Sequence, residues 1–195
     1  GSHGVGSYGP DQNPFNPYTT APNTAHIVWT KELTLGGLVG GEHYELGYYG
    51  GQPYEARFHP PIIINGRLYY NLYDVQRYQQ YQGFTCVDLF TGETIWTREG
   101  TISKGNTINF PVVNQYGIVP PILWSTWDTT WRAYDAFTGD LLFSMVNVTS
   151  ADTFAMDENG NLLAYIISRA RAGANWLAMW NATKAMPWGT ALNFR

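Results

Sequence analysis

The sequence contains one cysteine, Cys86. No internal disulfide can form within the chain, and a zinc site built from a cysteine cluster is excluded. The lone thiol reads as a small hydrophobe in a strand rather than a reactive centre. Charge is scarce too: Asp, Glu, Lys and Arg make up 13% of the residues, against about 25% in an ordinary domain. A helical bundle needs more Glu and Lys than this to solvate its outer faces. The formal net charge is −4, so there is no basic footprint and nucleic-acid binding is not expected. No run of apolar residues reaches the length of a transmembrane helix, and no secretory leader is visible. No Gly-x-Ser-x-Gly elbow, phosphate-binding loop or His-Glu-x-x-His zinc pattern occurs. No catalytic residues, metal site or cofactor are expected.

Aromatics and glycine are abundant. The chain has 14 Tyr, 9 Phe, 8 Trp and 21 Gly among 195 residues. That balance suits short strands and tight turns, hence an all-β fold. The length suits one domain with a good core. Residues 1–3 read as a cloning remnant, and 4–25 as a polar N-terminal arm.

The chain repeats itself. Thr85-Cys86-Val87-Asp88-Leu89-Phe90-Thr91-Gly92-Glu93-Thr94-Ile95-Trp96 is matched by Arg132-Ala133-Tyr134-Asp135-Ala136-Phe137-Thr138-Gly139-Asp140-Leu141-Leu142-Phe143, 47 residues further on. A weaker third copy covers 177–188, with Thr183 aligned to Thr138 and Trp188 to Phe143. The first two copies read as strand, Asp-x-Phe-Thr-Gly turn, strand. A second hairpin precedes each copy. Ile62-Ile63-Ile64 and Arg67-Leu68-Tyr69-Tyr70 flank Asn65-Gly66, a type I′ turn signal. Phe110–Val113 with Ile118–Val119, and Thr153–Met156 with Leu162–Tyr165, are the later counterparts. Four antiparallel strands per repeat of about 45 residues make one β-propeller blade. The expected blades are 36–100, 101–147 and 150–190 within a segment 26–195. An outer strand at 26–34 precedes them and can close a ring by pairing with the last blade.

The Asp-x-Phe-Thr-Gly-x-x-x-Trp pattern resembles the repeat of quinoprotein-type (PQQ-like) β-propellers. The entry at 16–29 is similar to propeller domains of archaeal and bacterial surface proteins. The resemblance implies that the Trp of the outermost strand docks on a neighbouring blade. It also implies a quinone and a calcium ion at the ring centre of the dehydrogenases, with a vicinal cysteine pair in many of them. The single cysteine and an open ring depart from that pattern, so no cofactor is carried over. A quinone-dependent oxidoreductase is the least favoured function.

The motif residues have structural expectations. Asp88 and Asp135 accept turn N–H groups, helped by Thr91 and Thr138. Gly92 and Gly139 supply positive φ. Trp29, Trp96, Phe143 and Trp188 bury apolar area between blades. Three blades fall short of the four to eight of a closed ring. The chain is therefore expected to be part of a longer propeller, to pair with copies of itself, or to complete a small fold with strands hidden at 36–57.

Binding is expected at the long loops of one end, opposite the short turns. His43, Tyr44, Glu45, Tyr48 and Tyr49 lie in the first loop. Arg77, Tyr78 and Tyr81 lie in the second, Trp127 and Asp128 in the third, and Arg169 and Arg171 in the fourth. Aromatics among polar side chains can stack on sugar rings or clasp a peptide, or pack the loops on one another or on a subunit. Asn147 and Asn181 head two Asn-x-Thr sequons, glycan sites if the chain is exported. The function expected first is a non-catalytic, extracellular or cell-surface propeller segment that assembles with protein, including copies of itself. The second is a carbohydrate- or peptide-binding module.

Overall fold

The structure is a computed structural model that describes residues 23–31, 60–73, 81–112, 115–118, 120–168 and 175–186. The chain is all-β. Strands β1 (Ile62–Ile64), β2 (Arg67–Tyr73), β3 (Tyr81–Asp88) and β4 (Thr94–Arg98) form a four-stranded antiparallel sheet in that order. The β1–β2 hairpin turns on Asn65 and Gly66, at φ 50° and 71°. Two positive φ values make the type I′ turn whose twist matches the strands.

The second sheet contains β5 (Lys104–Asn106), β8 (Ile122–Ser125), β9 (Trp131–Asp135) and β10 (Leu141–Met145), in the order β5-β8-β9-β10. Between β5 and β8 the chain makes a separate two-stranded ribbon, β6 (Asn109–Val112) with β7 (Gln115–Ile118). This corrects the sequence expectation, which placed the first two strands of this blade at 110–113 and 118–119. The inner strand is Lys104-Gly105-Asn106, which carries no hydrophobic alternation. It is placed by close approach: a Cβ on Gly105 would lie 2.6 Å from Ile62 and 2.9 Å from Ile64.

The third sheet has three strands among the described residues: β11 (Thr153–Met156), β12 (Leu162–Ser168) and β13 (Trp176–Asn181). A one-turn helix, α1 (Ala182–Ala185), follows where the weaker third copy placed the counterpart of the Thr138 turn. The register therefore differs from the Thr183–Thr138 alignment. Strands β3, β9 and β13 end on Asp88, Asp135 and Asn181, so Asn181 stands in the aspartate position. Trp188 lies outside the described residues.

Of the closing strand expected at 26–34, residues 32–34 lie outside the described residues, and the rest is not a strand. Residues 23–31 belong to no sheet, and Ile27 and Val28 are exposed. The described sheets form no closed ring. The core sits between sheets, in two clusters. Tyr69, Phe84 and Cys86 of the first sheet meet Ile102, Leu123, Tyr134 and Ala136. Ile122, Trp124 and Ala133 of the second meet Leu162, Ala182 and Met186.

Candidate functional site

Two regions qualify as sites: the loop end of the sheets and the outward face of the third sheet. The turns at the opposite end explain how both are held. Asp88 Oδ1 accepts the N–H groups of Phe90 (2.8 Å) and Thr91 (2.9 Å). Asp135 Oδ1 does the same for Phe137 (2.6 Å) and Thr138 (3.3 Å). Those donors hold the Asp88 carboxyl below its ordinary pKa, the Thr91 N–H first. Gly92 and Gly139 sit at φ 74° and 75°.

Each turn receives a tryptophan from the preceding segment. Trp96 Nε1 donates to Phe137 O at 2.7 Å, and a Cβ on Gly139 would come within 2.9 Å of its ring. Trp29 Nε1 donates to Leu89 O at 2.9 Å, and a Cβ on Gly92 would come within 2.7 Å of its ring. Any side chain at either glycine would both strain the backbone and displace the indole. Lys31 Nζ adds a bond to Gly92 O. Residues 23–31 thus do what an outermost strand does at the next blade, without belonging to a sheet.

At the loop end, Tyr81 and Trp127 bring the first and second sheets together, with ring centroids 5.2 Å apart and planes tilted by 31°. Asp128 shapes the loop that carries Trp127. Its Oδ1 accepts from Thr130 N–H, and its Oδ2 from Arg132 Nη1 at 3.1 Å. Burial raises the Asp128 pKa, but the Thr130 N–H and Arg132 outweigh it and leave the group more acidic than usual. Both carboxylate oxygens bond within the turn that carries Trp127. The loop is also tied to the segment before β5, through Thr101 Oγ1 with Ser125 Oγ (3.0 Å) and Ser103 Oγ with Thr126 Oγ1 (2.8 Å). His43, Tyr44, Glu45, Tyr48, Tyr49, Arg77, Tyr78, Arg169 and Arg171 lie outside the described residues.

Not every connection at the turn end is short, as the sequence suggested. The β5–β8 connection carries the β6–β7 ribbon there. Of the sequons, Asn147 is exposed at φ 57°. Asn181 Oδ1 accepts from Lys184 N–H, and Thr183 Oγ1 donates to Asn161 Oδ1. Among the described residues, no three His, Cys, Asp or Glu side chains gather as a metal site. No described helix is long and apolar enough to cross a membrane.

The face of the third sheet was missed by sequence reasoning. Each sheet has a forward face, turned toward the next sheet. On the first it carries Tyr69 opposite Cys86, on the second Trp124 opposite Ala133, and on the third Tyr165 opposite Met179. Tyr69, Cys86, Trp124 and Ala133 are all 0% exposed, whereas Met179 is 53% and its neighbour Leu177 67% exposed. Ile167, opposite Leu177, is exposed as well. The period-2 alternation of Leu163, Tyr165, Ile167 with Leu177 and Met179 was the available signal.

No family model, curated protein or solved structure matches this chain.

Proposed function

We propose that the chain is a non-catalytic β-propeller segment of an exported surface protein, and that it works by assembling with protein through its sheet faces. The observation that carries this reading is the forward face of the third sheet. Counted back from Asp88, Asp135 and Asn181, its exposed Leu177 and Met179 stand where Phe84 and Cys86 of the first sheet and Trp131 and Ala133 of the second are fully covered. A contiguous apolar face on an otherwise low-charge surface is a protein-docking feature. Sedimentation at increasing concentration tests it. The expected result is a mass above the 21.9 kDa of one chain, lowered by Leu177→Lys with Met179→Lys. A wild-type chain that stays monomeric, with mass and solubility unchanged by that double substitution, overturns the reading.

A second reading rests on the Tyr81–Trp127 pair. Trp127 is 43% exposed on a turn fixed by Asp128 and Arg132, and an aromatic platform of this kind suits the apolar face of a sugar ring or a peptide. A glycan array with no hits, together with peptide binding unchanged by Trp127→Ala, would count against it.

A further inference from the structure

The two Asn-x-Thr sequons share one sequence pattern and have opposite settings in the fold. Asn147 follows β10, which ends at Met145, and the next strand begins at Thr153. The segment between them belongs to no sheet. Asn147 and Thr149 are both exposed, and neither side chain makes a hydrogen bond among the described residues. One backbone bond touches the sequon, from Val148 N–H to Thr129 O at 2.9 Å. It sets the sequon beside the turn that carries Trp127. At φ 57° Asn147 lies in the left-handed region, which asparagine tolerates better than most residues, so the chain bends there at little cost. Asn181 is built in. It ends β13 opposite Leu163 and caps α1, its Oδ1 accepting from Lys184 N–H at 3.1 Å. Ala182, the middle residue of the sequon, is fully buried in the cluster between the second and third sheets. Thr183 Oγ1 donates to Asn161 Oδ1. Asn161 is held in turn by Asp157: its N–H donates to Oδ1 at 2.9 Å and its Nδ2 to Oδ2 at 2.6 Å. Presenting this sequon to an enzyme means unwinding α1 and pulling Ala182 out of the core.

We propose that Asn147 is a site of N-glycosylation in the folded chain and that Asn181 is not. The amide nitrogen is a poor nucleophile, because its lone pair is shared with the carbonyl. A transferase must therefore grip the whole tripeptide, the amide in its active centre and the threonine hydroxyl at a separate contact. Residues 147–149 can be gripped as they stand, and 181–183 cannot. The reaction forms a bond from Nδ2 of Asn147 to C1 of a sugar. The C1–O bond to a lipid-linked phosphate breaks, its electron pair leaves with the phosphate, and Nδ2 gives up one proton. The co-reactant is thus a lipid-phosphate-linked sugar. That the chain meets this donor rests on the reading of an exported surface protein; which asparagine reacts rests on the geometry alone.

The test incubates the purified folded chain with a single-subunit oligosaccharyltransferase that accepts Asn-x-Thr and with its lipid-linked donor, then maps the modified positions by mass spectrometry. Short synthetic peptides covering 144–152 and 178–186 run alongside as unfolded references. Both peptides should react. The folded chain should react at Asn147 at least about tenfold faster than at Asn181, because the second sequon reacts only from an opened state. Thr149→Ala should abolish modification at Asn147 and leave the thermal melt unchanged. A folded chain left unmodified at Asn147, or modified as fast at Asn181, overturns the proposal. Modification that survives Thr149→Ala overturns it too, and a 178–186 peptide as inert as the folded site overturns the contrast drawn from the fold. Protein from its natural source that lacks a glycan, while the folded chain accepts one in vitro, counts against export and not against the choice of acceptor.

Discussion

The two junctions between sheets are built from the same repeat and are held differently. The first is a lock with polar teeth. Trp96 Nε1 and Arg67 Nη1 both donate to Phe137 O, at 2.7 and 2.9 Å, and Tyr69 OH donates to Ala136 O at 3.0 Å. Asn71 clamps the backbone of Ile102 in both directions, each bond 2.8 Å. The second junction is an aromatic stack. Trp124 meets Phe143 and Trp180 edge-on, and Trp131 meets Trp180 at 5.0 Å and 89°. Its polar link runs through Asn106, which accepts from Trp124 Nε1 and donates to Gly160 O. Phe143 stands where Trp96 stands, but has no N–H to give. The turn it would have reached is replaced by α1. Loss of the donor and loss of the acceptor occur together, so neither leaves a buried polar group stranded by the change. The second sheet does hold two buried atoms without a protein partner, Trp131 Nε1 and Asp135 Oδ2.

The largest expected effect breaks the stacked junction. Trp124→Ala removes a fully buried ring and its bond to Asn106, at a cost of about 3–5 kcal/mol in chemical denaturation. Asn71→Ala strikes the locked junction instead. It leaves the Ile102 N–H and C=O buried without partners and should cost about 1–3 kcal/mol. Trp96→Phe removes one N–H donor and should cost about 1 kcal/mol. The reciprocal Phe143→Trp should bring no gain in stability. A gain of similar size would mean that the second junction accepts the same lock, and the contrast between the two would fall. The smallest effect is on pH dependence. The Asp88 carboxyl is more acidic in the fold than its ordinary value near ~3.9. Its contribution is present above that value and is lost as the pH falls through the lower folded one. Acid unfolding of wild type against Asp88→Asn should show this term disappear in the variant.

The turn motifs, the type I′ hairpin and all four strands of the first blade were legible from Asp, Thr, Gly and Asn-Gly at fixed spacing, because turn geometry restricts residue type locally. The inner strand Lys104-Gly105-Asn106 was not legible. Its placement depends on the absence of a side chain at Gly105 and on the isoleucines of another sheet, which no local pattern records. The ribbon at 109–118 looked like a blade hairpin because the hairpin signal is the same wherever the hairpin docks. Trp127 lies in the loop where the sequence put it, and the spacing of Asp128 to Thr130 and Arg132 gives that residue a turn-forming role which was not read from the sequence. The exposed third-sheet face was hidden for a different reason. An apolar alternation looks the same whether a partner covers it or not.

Each sheet is assembled from strands close together in the sequence, whereas the Trp96–Phe137 bond spans 41 residues and the Trp29–Leu89 bond 60. Short-range pairing carries the lower loop-closure cost and tends to come early in folding. The indole locks are then late events, formed after the meanders they join. On that ordering Trp96→Phe would speed unfolding and leave the refolding rate nearly untouched. The tryptophans would act less as builders of the sheets than as latches that set how long the stack persists.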